Sequence, residues 1–149
     1  MIEVQNLQKN FGATRAVDDV SFRVEKGEII GLLGPNGSGK TTIMRILTGF
    51  FPPTSGRARV AGLDVEEHSL EARQKIGYLP ENVSLYPDLP VERFLRFCGE
   101  VKGLRGKRLT ERVEAVIDAV ALQDVRKKEI GKCSKGFRQR VGIAQAIVH

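Results

Sequence analysis

The chain has 149 residues, 28% of them charged and 41% hydrophobic, a balance that fits a globular domain and excludes collagen-like and low-complexity classes. The formal net charge is +6, with many basic residues between Lys102 and Arg140, but there is no tryptophan and few aromatics interleave with them, so no stacking platform for nucleic acid is evident. The basic excess reads instead as a solvated face suited to attracting phosphates. The start, Met1-Ile2-Glu3-Val4, lacks the basic and apolar regions of a signal peptide, and the strongest apolar run, Ile29 to Leu33, is far short of the roughly 20 residues that cross a bilayer. A cytosolic chain is expected, held at a membrane only by another protein.

In chain order, Ile2 and Val4 alternate with polar neighbours, as do Val20, Phe22 and Val24, and this period-two pattern predicts half-buried antiparallel strands. Lys26-Gly27 is a turn. Glu28 to Leu33 is almost continuously apolar, which predicts a strand buried on both faces of a parallel sheet. A glycine-rich loop follows, then a helical run from Thr42 to Leu47 and a break at Pro52-Pro53-Thr54-Ser55-Gly56. Arg57 to Val60 reads as a strand, Gly62-Leu63-Asp64 as a turn, Glu67 to Gln74 as a helix and Ile76 to Leu79 as a short strand.

Beyond this point the period changes. Val91, Phe94, Leu95 and Cys98 fall at helical spacing, as do Leu109, Val113, Val116 and Val120, with Lys102 to Lys107 joining the two helices. A last helix begins near Phe137 and carries Val141, Ala144 and Val148 on one face. The chain therefore reads as a β-rich start, an α/β core and a helical insertion from about Asp88 to Gln123. The two cysteines, Cys98 and Cys133, show no C-x-x-C spacing and no clustering with His68 or His149, so they read as free structural thiols rather than zinc ligands.

Gly34-Pro35-Asn36-Gly37-Ser38-Gly39-Lys40-Thr41, followed by Thr42, matches the phosphate-loop pattern G-x-x-x-x-G-K-[ST]. Each residue type has a physical reason. Glycines let backbone N–H groups curl around anionic oxygens, and the following helix presents its positive end to the same charge. Lys40 supplies a point charge for the β- and γ-phosphates, and Thr41 a hydroxyl for Mg²⁺. Taken alone, this motif means only that a nucleoside triphosphate binds.

Three further stretches resemble the ABC transporter ATPase family, along essentially the whole chain. Phe11, in Asn10-Phe11-Gly12, stands where that family has an aromatic that stacks on adenine. Gly77-Tyr78-Leu79-Pro80-Glu81-Asn82 stands at the family's Q-loop, with Glu81 in place of the usual glutamine; the acceptor oxygen that contacts metal is kept and the amide donor is lost. The wording of that stretch resembles the subgroup that serves export-type permeases. Cys133-Ser134-Lys135-Gly136-Phe137 resembles the signature Leu-Ser-Gly-Gly-Gln, with Ser134 and Gly136 matching and Cys133, Lys135 and Phe137 departing. In the family, the signature serine and glycine bind the γ-phosphate of ATP held by the opposite subunit.

The resemblance implies an α/β phosphate-loop NTPase core with an N-terminal antiparallel β subdomain and a helical insertion. It divides the chain into a β-rich start and core over 1–87, a helical subdomain with the signature over 88–136, and the signature helix over 137–149. It implies ATP and Mg²⁺ as cofactors, Lys40, Glu81, Ser134 and Gly136 as catalytic residues, and Thr41 and Glu81 at the metal. A second ABC ATPase subunit and an integral-membrane permease are the implied partners, at the cytoplasmic face of the membrane. The family continues into an apolar strand ending in Asp-Glu and a later histidine. No such run occurs here, so the C-terminal strands of the core are expected to be missing, and with them hydrolysis by the isolated chain. Two alternatives stand beside this reading: a truncated nucleotide binder without catalysis, and a soluble ABC-type ATPase acting on nucleic acid or ribosomes.

Overall fold

The computed structural model describes all residues from 1 to 149, in two compact units, Met1–Ile76 and Gly77–His149. The first unit is built on a hairpin. Strands β1 (Ile2–Phe11) and β2 (Thr14–Val24) pair antiparallel, and β3 (Ser55–Val60) and β4 (Leu63–Asp64) complete a four-stranded sheet of order β2-β1-β3-β4. The strands run longer than the alternating residues alone indicate, because the pattern is interrupted. Asn6 and Asp19 both adopt positive φ, 45° and 49°. The Asn6 amide donates to Asp19 Oδ1 at 2.9 Å, and its backbone N–H to Ser21 Oγ at 2.8 Å. The register shifts here, so the inward position moves from Val4 to Leu7 rather than to residue 6. Gly56 is fixed by the same irregularity: at φ 81° its added Cβ would stand 2.2 Å from the Asn6 carbonyl oxygen.

Against this sheet packs α1 (Lys40–Leu47), whose Ile43, Ile46 and Leu47 join Val4, Leu7, Val17, Ala58, Val60 and Val65 in one core. Truncating the fully buried Ile46 to alanine removes a side chain whose loss typically costs about 2–5 kcal/mol. Helix α2 (Ser69–Gln74) is shorter than the run from Glu67 suggests, and Leu63 and Asp64 form β4 rather than a turn, the turn lying at Ala61 and Gly62.

Two strand expectations are corrected. Glu28 to Leu33 forms no strand, and it is not buried: Ile29 is 97% and Leu33 91% exposed. Ile76 to Leu79 forms none either. A doubly buried parallel strand needs ladder partners on its flanks and helices on its faces. The only sheet in residues 1–149 is antiparallel and includes neither segment, so apolar composition alone does not produce the strand.

The second unit is helical. Helices α3 (Val91–Val101), α4 (Gly106–Ala119) and α5 (Lys135–Ile147) surround a core of Val91, Phe94, Leu95, Leu109, Val113, Val116, Ile117, Val141, Ala144 and Val148. The apolar faces inferred from spacing are the buried ones, with Cys98 and Val120 partly buried at the margin. The crossing of α3 and α4 is close, since a Cβ on Gly99 would lie 2.5 Å from Leu109 Cδ1. Single 3₁₀ turns at Gln123–Val125 and Ile130–Lys132 lead into α5.

Candidate nucleotide site

The loop before α1 is shaped by its backbone. Gly37 and Gly39 lie at φ 84° and 86°, where side chains are disfavoured. Gly39 is doubly constrained, because a Cβ there would stand 2.3 Å from the Ala16 carbonyl oxygen. That contact sets the start of α1 against β2, near the end of the hairpin where Phe11 pairs with Thr14. The Ser38 N–H donates to the Pro35 carbonyl at 3.3 Å, closing the loop. The Lys40 ammonium reaches back across it, donating to the carbonyls of Gly34 at 2.7 Å and Pro35 at 2.6 Å, with Ser38 Oγ 3.5 Å away.

No side chain caps α1, and no acidic residue stands in its first turn. The backbone N–H groups of Lys40, Thr41 and Thr42 find no acceptor in the chain. An uncapped helix start with a lysine ammonium beside it is a donor set that fits a polyphosphate. Asn36 is exposed in the loop, Thr41 is exposed on the first turn and Thr42 is half-buried.

Phe11 ends β1 with its ring 44% exposed. Its ring meets Phe51 edge-on at 5.3 Å between centroids, and the Lys9 ammonium lies 5.2 Å from its centre. The ring thus has an apolar neighbour on one side and an open portion available for stacking.

In the second unit Ser134 is the N-cap of α5, in extended backbone (φ −63°, ψ 163°), and its Oγ accepts the Phe137 N–H at 3.3 Å. Gly136 stands on the first turn, with open space where a side chain would begin except for Ser134 Oγ at 4.0 Å. The Arg138 guanidinium donates to the Cys133 carbonyl, locking the chain just before the cap. Sequence reasoning gave Arg138 no role; the signal available was its position one turn beyond Ser134.

Glu81 lies in this same unit. It shares a cavity of about 390 Å³ with Asn82, Val83, Ile130, Lys135 and Arg138. The structure thus brings Glu81 together with two cations, Lys135 and Arg138. No group of three or more His, Cys, Asp or Glu is placed to hold a metal ion. Cys133 is buried and Cys98 half-buried, and burial pushes the Cys98 thiol up to about 11. The carboxylate of Glu92, hydrogen-bonded by Arg126, sits below its ordinary value. His149 lies below its ordinary value through burial, then through the charges of Lys102 and Arg112.

Residues 17–149 match the family described as ABC transporter. The chain is 42% identical over its whole length to the probable multidrug ABC transporter ATP-binding protein YbhF of Escherichia coli K12, of which it spans 26%. It is 38% identical, again over its whole length, to the uncharacterised ABC transporter ATP-binding protein YxlF of Bacillus subtilis 168, of which it spans 49%. Among solved structures, an ATP-binding subunit of an ABC transporter superposes with a TM-score of 0.89 at 28% identity, covering 99% of this chain and 62% of that one. The chain thus spans less than two thirds of each of these relatives.

Proposed function

We propose, from the premise that this chain belongs to the ABC transporter family, that it acts within an ATP-binding subunit whose nucleotide cycle drives a membrane permease. The observation that carries this reading is the uncapped start of α1 with the Lys40 ammonium held across its mouth. Gly34 to Thr42 would cradle the phosphates, Lys40 would contact the β- and γ-oxygens, and Phe11 would stack on the base. Mg²⁺ usually binds through phosphates and one or two protein oxygens. Thr41 and Glu81 would supply them.

In a pair of subunits, Ser134 and Gly136 of one would meet the γ-phosphate held by the other. The cap geometry supports this, since a helix start and its serine are aimed together. Within that reading, 1–87 supplies the phosphate loop, 88–136 the helical subdomain and signature, and 137–149 the signature helix. Hydrolysis in this reading also calls for a carboxylate that orients the attacking water.

No helix is long and apolar enough to cross a membrane. In this reading the permease is a partner. An apolar patch supports one: Tyr86 and Phe97 are 50% and 43% exposed with ring centroids 5.8 Å apart, and Val101 follows Phe97 one turn on. Relatives named for multidrug transport and Nod factor export support export over import. The test is titration of the full chain with a fluorescent ATP analogue, alongside co-purification with a polytopic membrane protein. Unaltered nucleotide affinity in Lys40→Ala would sink the reading.

A further inference from the structure

The end of β1 and the segment that leaves α1 are stitched together. The Thr54 N–H donates to the Gln8 carbonyl at 2.9 Å, and the Asn10 N–H donates to Thr54 Oγ1 at 3.0 Å. The Lys9 ammonium donates to the Pro52 carbonyl at 2.7 Å. Pro52 and Pro53 have φ fixed by their rings, so little freedom is left in this stretch. On the helix side, the Phe50 and Phe51 N–H groups both donate to the Arg45 carbonyl, at 2.8 and 3.3 Å. Phe51 therefore leaves directly from the helix that begins at the phosphate loop, and its side chain packs against the core of the first unit.

Two groups of this frame meet the Phe11 ring. Phe51 stands edge-on to it, with 5.3 Å between centroids and 73° between planes. The Lys9 ammonium lies over both rings, 5.2 Å from the centre of Phe11 and 5.7 Å from that of Phe51. An aromatic side chain without such neighbours samples several χ1 wells, and ordering it when a ligand binds takes away affinity. Here the ring is ordered in advance. The edge contact sets its plane, the tethered cation sits over it, and 44% of the residue stays open.

We propose that Phe51 and Lys9 are positioning residues for the base of a nucleoside triphosphate: they hold the Phe11 ring in the orientation in which the base stacks on its open part. This rests on the nucleotide reading, in which Phe11 is the stacking residue. Phe51 and Lys9 act on the base only through Phe11. The test is calorimetric titration of the full chain with ATP and with inorganic tripolyphosphate, which carries linked phosphates and no base. Phe51→Leu keeps apolar bulk and removes the ring. It raises the Kd for ATP about two- to tenfold, the cost of ordering one side chain on binding. Its Kd for tripolyphosphate changes less than about twofold. Phe51→Tyr keeps the ring and restores ATP affinity to within about twofold of wild type. Lys9→Met keeps the stem, loses the cation and raises the Kd for ATP alone, by about two- to fivefold. In a Phe11→Ala background both effects vanish.

Equal losses for ATP and tripolyphosphate would mean that the substitutions disturb the whole unit, and would overturn the proposal. So would losses that persist undiminished in the Phe11→Ala background. If Phe11→Ala weakens ATP binding while Phe51→Leu and Lys9→Met are silent, the stacking reading stands and the positioning roles fall. If Phe11→Ala is itself silent, the stacking reading fails and the positioning roles fall with it. Should circular dichroism show that Phe51→Leu does not fold, Lys9→Met alone must produce the base-selective loss, and an unchanged ATP affinity there also overturns the assignment.

Discussion

The Lys40 ammonium donates to the Gly34 carbonyl oxygen at 2.7 Å, so the loop holds with its own backbone the cation proposed to meet the phosphates. A nucleotide must exchange those contacts for phosphate oxygens, and its affinity reports the difference. Lys40→Ala is expected to raise the dissociation constant for ATP at least about tenfold, the typical worth of a charge-assisted hydrogen bond. Its melting temperature should hardly move, because the lysine's contacts lie at an exposed surface. Equilibrium titration and a thermal melt check the two halves separately.

Gly39 makes the opposite case. An alanine there combines a left-handed φ of 86° with a Cβ 2.3 Å from a backbone oxygen that cannot rotate away. Gly39→Ala is expected to destabilise the first unit by roughly 1–3 kcal/mol and to lose nucleotide binding as the loop shifts. Urea unfolding and nucleotide titration on the same preparation measure both effects.

Ser134 has a structural duty and a proposed functional one, and two substitutions separate them. Ser134→Ala removes the cap accepted from Phe137 and should cost about 0.5–2 kcal/mol. Ser134→Asp keeps a good cap but opposes the γ-phosphate with negative charge. It is expected to retain stability and to abolish ATP-dependent pairing of subunits, read by light scattering. Pairing that survives in the aspartate variant would confine Ser134 to its capping role.

The Arg126 bonds make stability depend on acid. With the Glu92 carboxyl held below its ordinary 4.5, the paired form is favoured by folding. The contribution is fully present above pH 4.5 and is lost as pH falls through the lower folded value. Glu92→Gln should unfold at lower denaturant concentration than wild type at pH 7, with the gap closing in acid. Denaturant midpoints from pH 7 down to 3 follow it, in the range where carboxylates take up protons.

How much of this was legible depended on the range of the interactions. The phosphate loop is local: Gly37, Gly39 and Lys40 specify it within a few bonds, and it forms as expected. The faces of α3, α4 and α5 were legible because burial follows the helical period. Ile29 to Leu33 was misread because a buried strand is specified by neighbours, not by composition. The paired irregularity of Asn6 and Asp19 was invisible for the same reason, as was Arg126, whose carboxylates lie 12 and 34 residues away in sequence.

Arg112 on α4 donates to the carbonyls of Ile147 at 2.7 Å and Val148 at 3.1 Å, gripping the far end of α5. Ser134 sits at the other end, some 20 Å away for a helix of 13 residues. One helix thus fixes the distance between the Arg112 clamp on α4 and the serine at its start, so the two are placed by a single element.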